Sequence, residues 1–226
     1  MSSVNTTPLV NTTLERPQTR GEEIANSISH AAGFAALVIA APFLISSAAR
    51  RYHSPTILAG ICIFAFTAAF LYLASAIYHA LPYGGRAKRV FAVIDHSAIF
   101  LMIAGTYTPF TFGVLRGGWG LSIFVVVWSL ALAGVCLKLF RGVDRHHKLS
   151  LALYLGMGWL ALAPIGRLWT RMPHGGFLLL VIGGILYTAG VPFYNSKKTP
   201  FHHFVWHLFV LGGTACHFVT VLWYSA

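Results

Sequence analysis

The amino-acid sequence predicts an all-α membrane protein with seven transmembrane helices packed in one bundle. Of its residues, 57% are hydrophobic and only 9% are charged, whereas about a quarter of the residues in a soluble domain are charged. Apolar stretches of about 20 residues, long enough to cross a bilayer, follow one another from Asn26 to the end of the chain. Both observations make a lipid bilayer the expected surroundings and partner of the chain.

Seven apolar stretches are separated by short clusters of charged residues, Gly or Pro. They cover residues 26–49, 55–79, 90–112, 119–140, 149–169, 176–194 and 203–224. We predict helices because backbone groups in hydrocarbon must be hydrogen-bonded within their own segment, and because barrel strands would alternate apolar and polar residues. Pro109, Pro164 and Pro192 are expected to bend or end their helices. Residues 1–22 are expected to form a flexible polar tail, and residues 23–226 a single transmembrane domain.

The distribution of basic residues predicts the orientation, since cytoplasmic loops carry an excess of Lys and Arg. With seven crossings, eleven of the 16 Lys and Arg residues lie on the side of the N-terminus and five on the other. The N-terminus is therefore predicted to be cytoplasmic and the C-terminus extracytoplasmic, in the plasma (inner) membrane. The net charge of +11 does not indicate nucleic-acid binding, because the basic residues lie in small groups at the ends of spans.

Polar side chains near the span ends are the candidate functional residues, because an ionisable group inside a membrane is costly. They form four groups, which are Glu23, Asn26 and His30; Ser75 and His79; Asp95 with His96; and His203 and His207. The odd-numbered spans start and the even-numbered spans end on the predicted cytoplasmic side. All four groups therefore share one depth and are predicted to meet inside the bundle.

Three of the histidines predict a zinc site. His203 and His207 are four residues apart on one helix face, so both imidazoles can point to one ion. His79 would supply a third neutral imidazole from another helix, which matches a zinc site that keeps its fourth position for water. Asp95 would then hold or deprotonate that water as a catalytic residue outside the ligand set.

Each polar residue also has a simpler interpretation. Glu23 and His30 would then be interfacial caps, and Asp95 the N-cap of the third helix. Ser75 would bond back to its own helix backbone. The remaining histidines have no partner at metal-ligand spacing and are expected to be hydrogen-bonding, interfacial or loop residues: His53, His96, His146, His147, His174, His202 and His217.

Four motifs together resemble the hemolysin III family, the bacterial branch of the progestin and adiponectin receptor superfamily. They are Glu23-x-x-Asn26-x-x-x-His30, Ser75-x-x-x-His79, the run from Asp95 to Phe100 continuing through Gly105 to Pro109, and His203-x-x-x-His207. The resemblance covers nearly the whole chain after Gly21. It implies seven helices with a cytoplasmic N-terminus, in agreement with the distribution of basic residues.

The resemblance also implies a function. Related adiponectin receptors and alkaline ceramidases bind zinc through three histidines, which correspond to His79, His203 and His207, with the motif Asp at Asp95 and the motif Ser at Ser75. In that group the site resembles an amide hydrolase acting on lipids, so we expect a zinc-dependent hydrolase of a lipid amide or ester that contributes to membrane homeostasis. The alternatives are a non-enzymatic sensor with structural zinc and a cytolytic protein. Transport is disfavoured because no pair of interrupted spans is predicted.

Overall fold

The computed structural model describes residues 18–143, 147–196 and 198–225, and within these ranges it is helical, without a strand. This confirms the predicted all-α class. The helices are α1 Arg20–Tyr52, α2 Pro55–Ala80, α3 Arg86–Phe112, α4 Gly118–Arg141, α5 His147–Gly158, α6 Ile165–Arg171, α7 His174–Asn195 and α8 His202–Tyr224, with a 3-10 segment, Trp159–Leu162, between α5 and α6. Most of the predicted tail, and His146, lie outside the described residues.

The outer surface of the bundle is apolar. Large side chains such as Phe140, Ile39 and Phe66 are 82%, 78% and 70% exposed. Apolar side chains with this exposure are expected at positions that contact lipid. Within the described part of the chain, six helices are long and apolar enough to cross a membrane, or seven if the bent pair formed by α5 and α6 is one span. The chain is therefore a multi-pass membrane protein.

The first helix begins earlier than predicted, at Arg20 rather than near Asn26. Thr19 and Glu22 form a capping box, in which the Thr19 side chain accepts from the Glu22 backbone N–H and the Glu22 carboxylate accepts from the Thr19 backbone N–H. Because this cap starts the helix at Arg20, Glu23, Asn26 and His30 all lie on regular α1 backbone.

The predicted fifth span, residues 149–169, is broken rather than continuous. α5 ends at Gly158 and runs on as the 3-10 segment to Leu162, and the axis then bends by 50° into α6. Pro164 lies at the break and has no backbone N–H to continue the helix. The Tyr107 hydroxyl from α3 bonds the 3-10 segment before this bend, since it donates to Gly158 O and accepts from Ala161 N, both at 2.8 Å. Pro109 and Pro192 instead lie within α3 and α7.

The helices α1, α2, α3 and α8 meet at the end of the bundle where the candidate residues lie. α2 packs between α1 and α3, α1 also packs on α8, and α8 packs on α7. α2 and α3 approach closely at Gly105, where an added Cβ would overlap the Thr67 side chain. This packing brings the end of α2 next to the start of α8, and with them the histidines of both helices.

Candidate metal centre

His79, His203 and His207 converge on one point. His79 lies in the last turn of α2, and the other two lie in the first turns of α8. Their ring centroids are 4.7 to 5.1 Å apart, and one nitrogen from each ring lies within 4.8 Å of the others. This group of three imidazoles could hold a metal ion, and it unites residues that are more than 120 positions apart in the sequence.

The His79 ring is oriented by Glu23. Its Nδ1 lies 2.7 Å from Glu23 Oε2, and because a carboxylate only accepts, Nδ1 donates. In the neutral ring, Nε2 therefore carries the lone pair. That nitrogen is buried and has no hydrogen-bond partner among the described residues, as expected of a nitrogen that binds a metal.

The His207 ring is oriented by the backbone and side chains of α1. His207 is 1% exposed, and its Nδ1 lies 3.2 Å from the Asn26 carbonyl oxygen and 2.9 Å from Ser29 Oγ. The carbonyl can only accept, so Nδ1 donates and Nε2 is the nitrogen with the lone pair. His79 and His207 thus fit zinc, which is bound by neutral imidazole nitrogens whose other N–H is hydrogen-bonded.

Asp95 and Ser75 lie on the wall of a cavity that His203 and His207 also line. Asp95 is ten residues past the N-cap of α3, which is Gly85, so its interpretation as an N-cap is wrong. Its Oδ2 lies 3.7 Å from the ring nitrogen Nδ1 of His96, which itself donates to the backbone oxygen of Ala92.

The cavity has a volume of about 130 Å³ and a mainly apolar lining, with Ile103, Leu155 and Val191 as examples. His203, His207, Ser75 and Asp95 place polar groups on its wall. A cavity of this kind suits an amphiphile with a polar group near the histidines.

The sequence grouped Glu23, Asn26 and His30 on one face of α1, and the structure brings each into contact with one of the candidate ligands. Glu23 contacts His79, and the carbonyl of Asn26 contacts His207. His30 stacks on the His207 ring with a centroid distance of 3.5 Å. It also lines the cavity, and neither of its ring nitrogens has a partner among the described residues.

Two residues at the centre were not singled out by the sequence analysis. Ser29 contacts His207, and Lys88, counted there only as a loop charge, is 6% exposed and donates to Glu23 Oε1 at 3.0 Å. Lys88 precedes Asp95 by seven residues, which is two helical turns. This spacing predicts that both lie on one face of α3, and it could have identified Lys88 from the sequence. His202 and His217 donate to backbone oxygens, as expected of hydrogen-bonding residues.

The fold and the histidine group define an all-helical, multi-pass membrane protein with a candidate metal centre at one end of the bundle. A model of the family described as Haemolysin-III related matches residues 18–218, and the chain belongs to this family. The predicted family resemblance is therefore confirmed.

Individual relatives agree with the family match. The chain is 46% identical to the Hemolysin-3 homolog of Bacillus subtilis, over 90% of this chain and 94% of that protein. It is 40% identical to Hemolysin-3 of Bacillus cereus, over 90% and 91%. A more distant relative is the human monocyte to macrophage differentiation factor, 27% identical over 67% of this chain and 64% of that protein, which fits the predicted link to the receptor superfamily.

Proposed function

We propose that this protein is a zinc-dependent hydrolase of the plasma (inner) membrane that acts on a lipid amide or ester and contributes to membrane homeostasis. One observation carries the proposal. Three imidazoles from two helices converge, and two of them, His203 and His207, line a cavity whose wall also carries Asp95 and Ser75. Three-histidine sites with a further position open to water or substrate are typical of catalytic zinc rather than structural zinc.

Each residue has a defined role in this proposal. His79, His203 and His207 would hold the zinc ion, which when bound would polarise the scissile carbonyl and activate water for attack. The Asp95 carboxylate accepts the proton of the attacking water and returns it to the leaving amine or alkoxide. The Ser75 hydroxyl hydrogen-bonds the polar group of the substrate, and the apolar walls of the cavity bind its acyl chain and exclude water.

The position of the centre supports seven crossings and a cytoplasmic N-terminus. The end of α2 and the start of α8 lie together at His79 and His203, so an even number of crossings separates them. Among the described residues, α3, α4, α7 and the bent pair lie between them, and the number of crossings is even when the bent pair crosses the membrane. The excess of basic residues then favours a centre near the cytoplasmic face, with the residues that precede α1 as a cytoplasmic tail.

The second candidate is a sensor without turnover, in which zinc is structural and ties α2 to α8. The observation that favours it is the burial of His79 Nε2, since structural zinc sites are closed to water. Cytolytic activity is supported only by the names of the Bacillus relatives.

Lipid turnover by an Asp95→Asn variant separates the two candidates. Wild-type protein in vesicles of bacterial lipid extract should release fatty acid, detected by mass spectrometry, and the variant should be slower by about 100-fold or more while keeping its zinc. Zinc-loaded wild-type protein that releases no more fatty acid than the variant would reject the hydrolase in favour of structural zinc.

A further inference from the structure

Helix α1 contributes none of the three candidate ligands, yet Glu23 on α1 contacts one of them directly. One carboxylate oxygen, Oε2, lies 2.7 Å from His79 Nδ1, and the other, Oε1, lies 3.0 Å from Lys88 Nζ. The carboxylate therefore joins α1 to α2 and to α3 at a single point. Lys88 is itself almost fully buried and lies over the Tyr78 ring, 4.4 Å from its centroid.

We propose that Glu23 and Lys88 together set the metal affinity of the histidine centre, with Glu23 as a positioning residue that raises it and Lys88 as a counter-ion that lowers it. This inference rests on the proposed metal site and concerns its regulation by neighbouring charge. It assigns to Glu23 a role different from the interfacial cap that the sequence also allowed.

The hydrogen bonds that cap α1 are made by residues other than Glu23. The capping box of α1 is formed by Thr19 and Glu22, and Glu22 Oε1 also accepts from the backbone N–H of Phe201 at the start of α8, at 2.7 Å. The contacts of the Glu23 carboxylate are with the His79 ring and the Lys88 ammonium group.

The contact with His79 Nδ1 acts on the metal-binding nitrogen of the same ring. A carboxylate that accepts the Nδ1 proton fixes the tautomer and the rotation of the ring and makes Nε2 a stronger donor. Loss of such a partner typically lowers metal affinity by about 10- to 100-fold. Glu23→Gln keeps the size of the side chain and one acceptor oxygen, so it tests the charge with little change in packing.

Lys88 provides a test in the opposite direction. Its positive charge offsets the Glu23 carboxylate and repels a nearby dication. Lys88→Met keeps much of the apolar stem but removes the charge, so the affinity for the metal should increase. A residue that served only to pack α3 against α1 would lower the affinity when it is changed.

The measurement is zinc affinity of the full chain purified in detergent, from competition with a chromophoric chelator. Glu23→Gln should bind zinc about 10- to 100-fold more weakly than wild type, with an altered cobalt(II) absorption spectrum because the His79 ring is no longer fixed. Lys88→Met should bind at least about threefold more tightly, and Lys88→Arg, which keeps the charge, should match wild type. Glu22→Gln, a change to the adjacent buried carboxylate, is the matched control and should stay within about threefold of wild type.

Two results would overturn the inference. They are a zinc affinity of Glu23→Gln within threefold of wild type, and an affinity of Lys88→Met at or below that of wild type. His79→Ala measured in parallel separates this failure from failure of the metal site itself. If His79→Ala loses zinc while Glu23→Gln retains it, the metal site stands and the role of Glu23 is rejected; if His79→Ala binds zinc like wild type, both are rejected.

Discussion

The imidazole rings of His30 and His207 stack face to face, with centroids 3.5 Å apart and planes 8° from parallel. His30 also packs edge-on against Tyr72, at 5.0 Å between centroids. Its ring nitrogens are buried without partners among the described residues, and unpaired buried polar groups cost about 1–3 kcal/mol each. Such a cost is typical of a residue retained for function rather than for stability.

We therefore expect His30→Phe to keep the stack and the zinc while its free energy of unfolding rises by about 1 kcal/mol. Lipid turnover should fall at the same time if His30 hydrogen-bonds the substrate. His30→Ala, which removes the stacked ring, should instead lower the unfolding free energy by about 1–3 kcal/mol. Unfolding in a denaturing detergent measures both changes. A Phe variant that is as unstable as the Ala variant would mean that the nitrogens, and not the ring, stabilise the fold.

Gly105 sets the distance between α2, which carries His79, and α3, which carries Asp95. A Cβ at this position would overlap the Thr67 side chain, so Gly105→Ala should force the two helices apart, at a cost of about 1–3 kcal/mol in unfolding free energy. The double variant Gly105→Ala with Thr67→Gly should recover much of that loss. Gly156→Ala is the matched control, because the added Cβ meets nothing within 4 Å. If Gly105→Ala is as stable as Gly156→Ala, the close approach of α2 and α3 at this glycine is contradicted.

The Tyr107 hydroxyl bonds two backbone groups where α5 passes into the 3-10 segment. Tyr107→Phe removes both hydrogen bonds, which should cost about 1–3 kcal/mol. Hydrogen exchange of the amides near residue 161 should become faster, whereas Tyr83→Phe, a change to a residue that is 77% exposed, should have no effect. Unchanged amide exchange in Tyr107→Phe would show that the 3-10 segment is stable without this hydroxyl.

Fusions to the two ends of the chain test the orientation. Seven crossings and the excess of basic residues on the N-terminal side predict that green fluorescent protein fluoresces at the N-terminus and that alkaline phosphatase is active at the C-terminus. Fluorescence at both ends would mean an even number of crossings, with the bent pair formed by α5 and α6 as a re-entrant segment. Activity of the phosphatase at the N-terminus would reverse the predicted orientation.

The meeting of His79 with His203 and His207 was predictable from the sequence, because each lies at the end of a span on the same side of the membrane. The family was predictable because its four motifs stand in order along the chain. The bend of the fifth span at Pro164 was expected, but the 3-10 segment before it was not, since the Tyr107 hydroxyl that bonds this segment comes from a helix about 50 residues away. The burial of Lys88 was also missed, because a lysine at the start of a span normally faces water unless a carboxylate such as Glu23 pairs with it.

The most direct test of the account is the zinc content of the purified chain by elemental analysis. The account predicts about one zinc per chain in the wild type. It also predicts near-complete loss in each of His79→Ala, His203→Ala and His207→Ala. His217→Ala is the control, because this buried histidine on α8 bonds the backbone oxygen of Leu180 instead, and it should retain its zinc. Full zinc content in any of the three variants would contradict the central claim that these imidazoles share one ion.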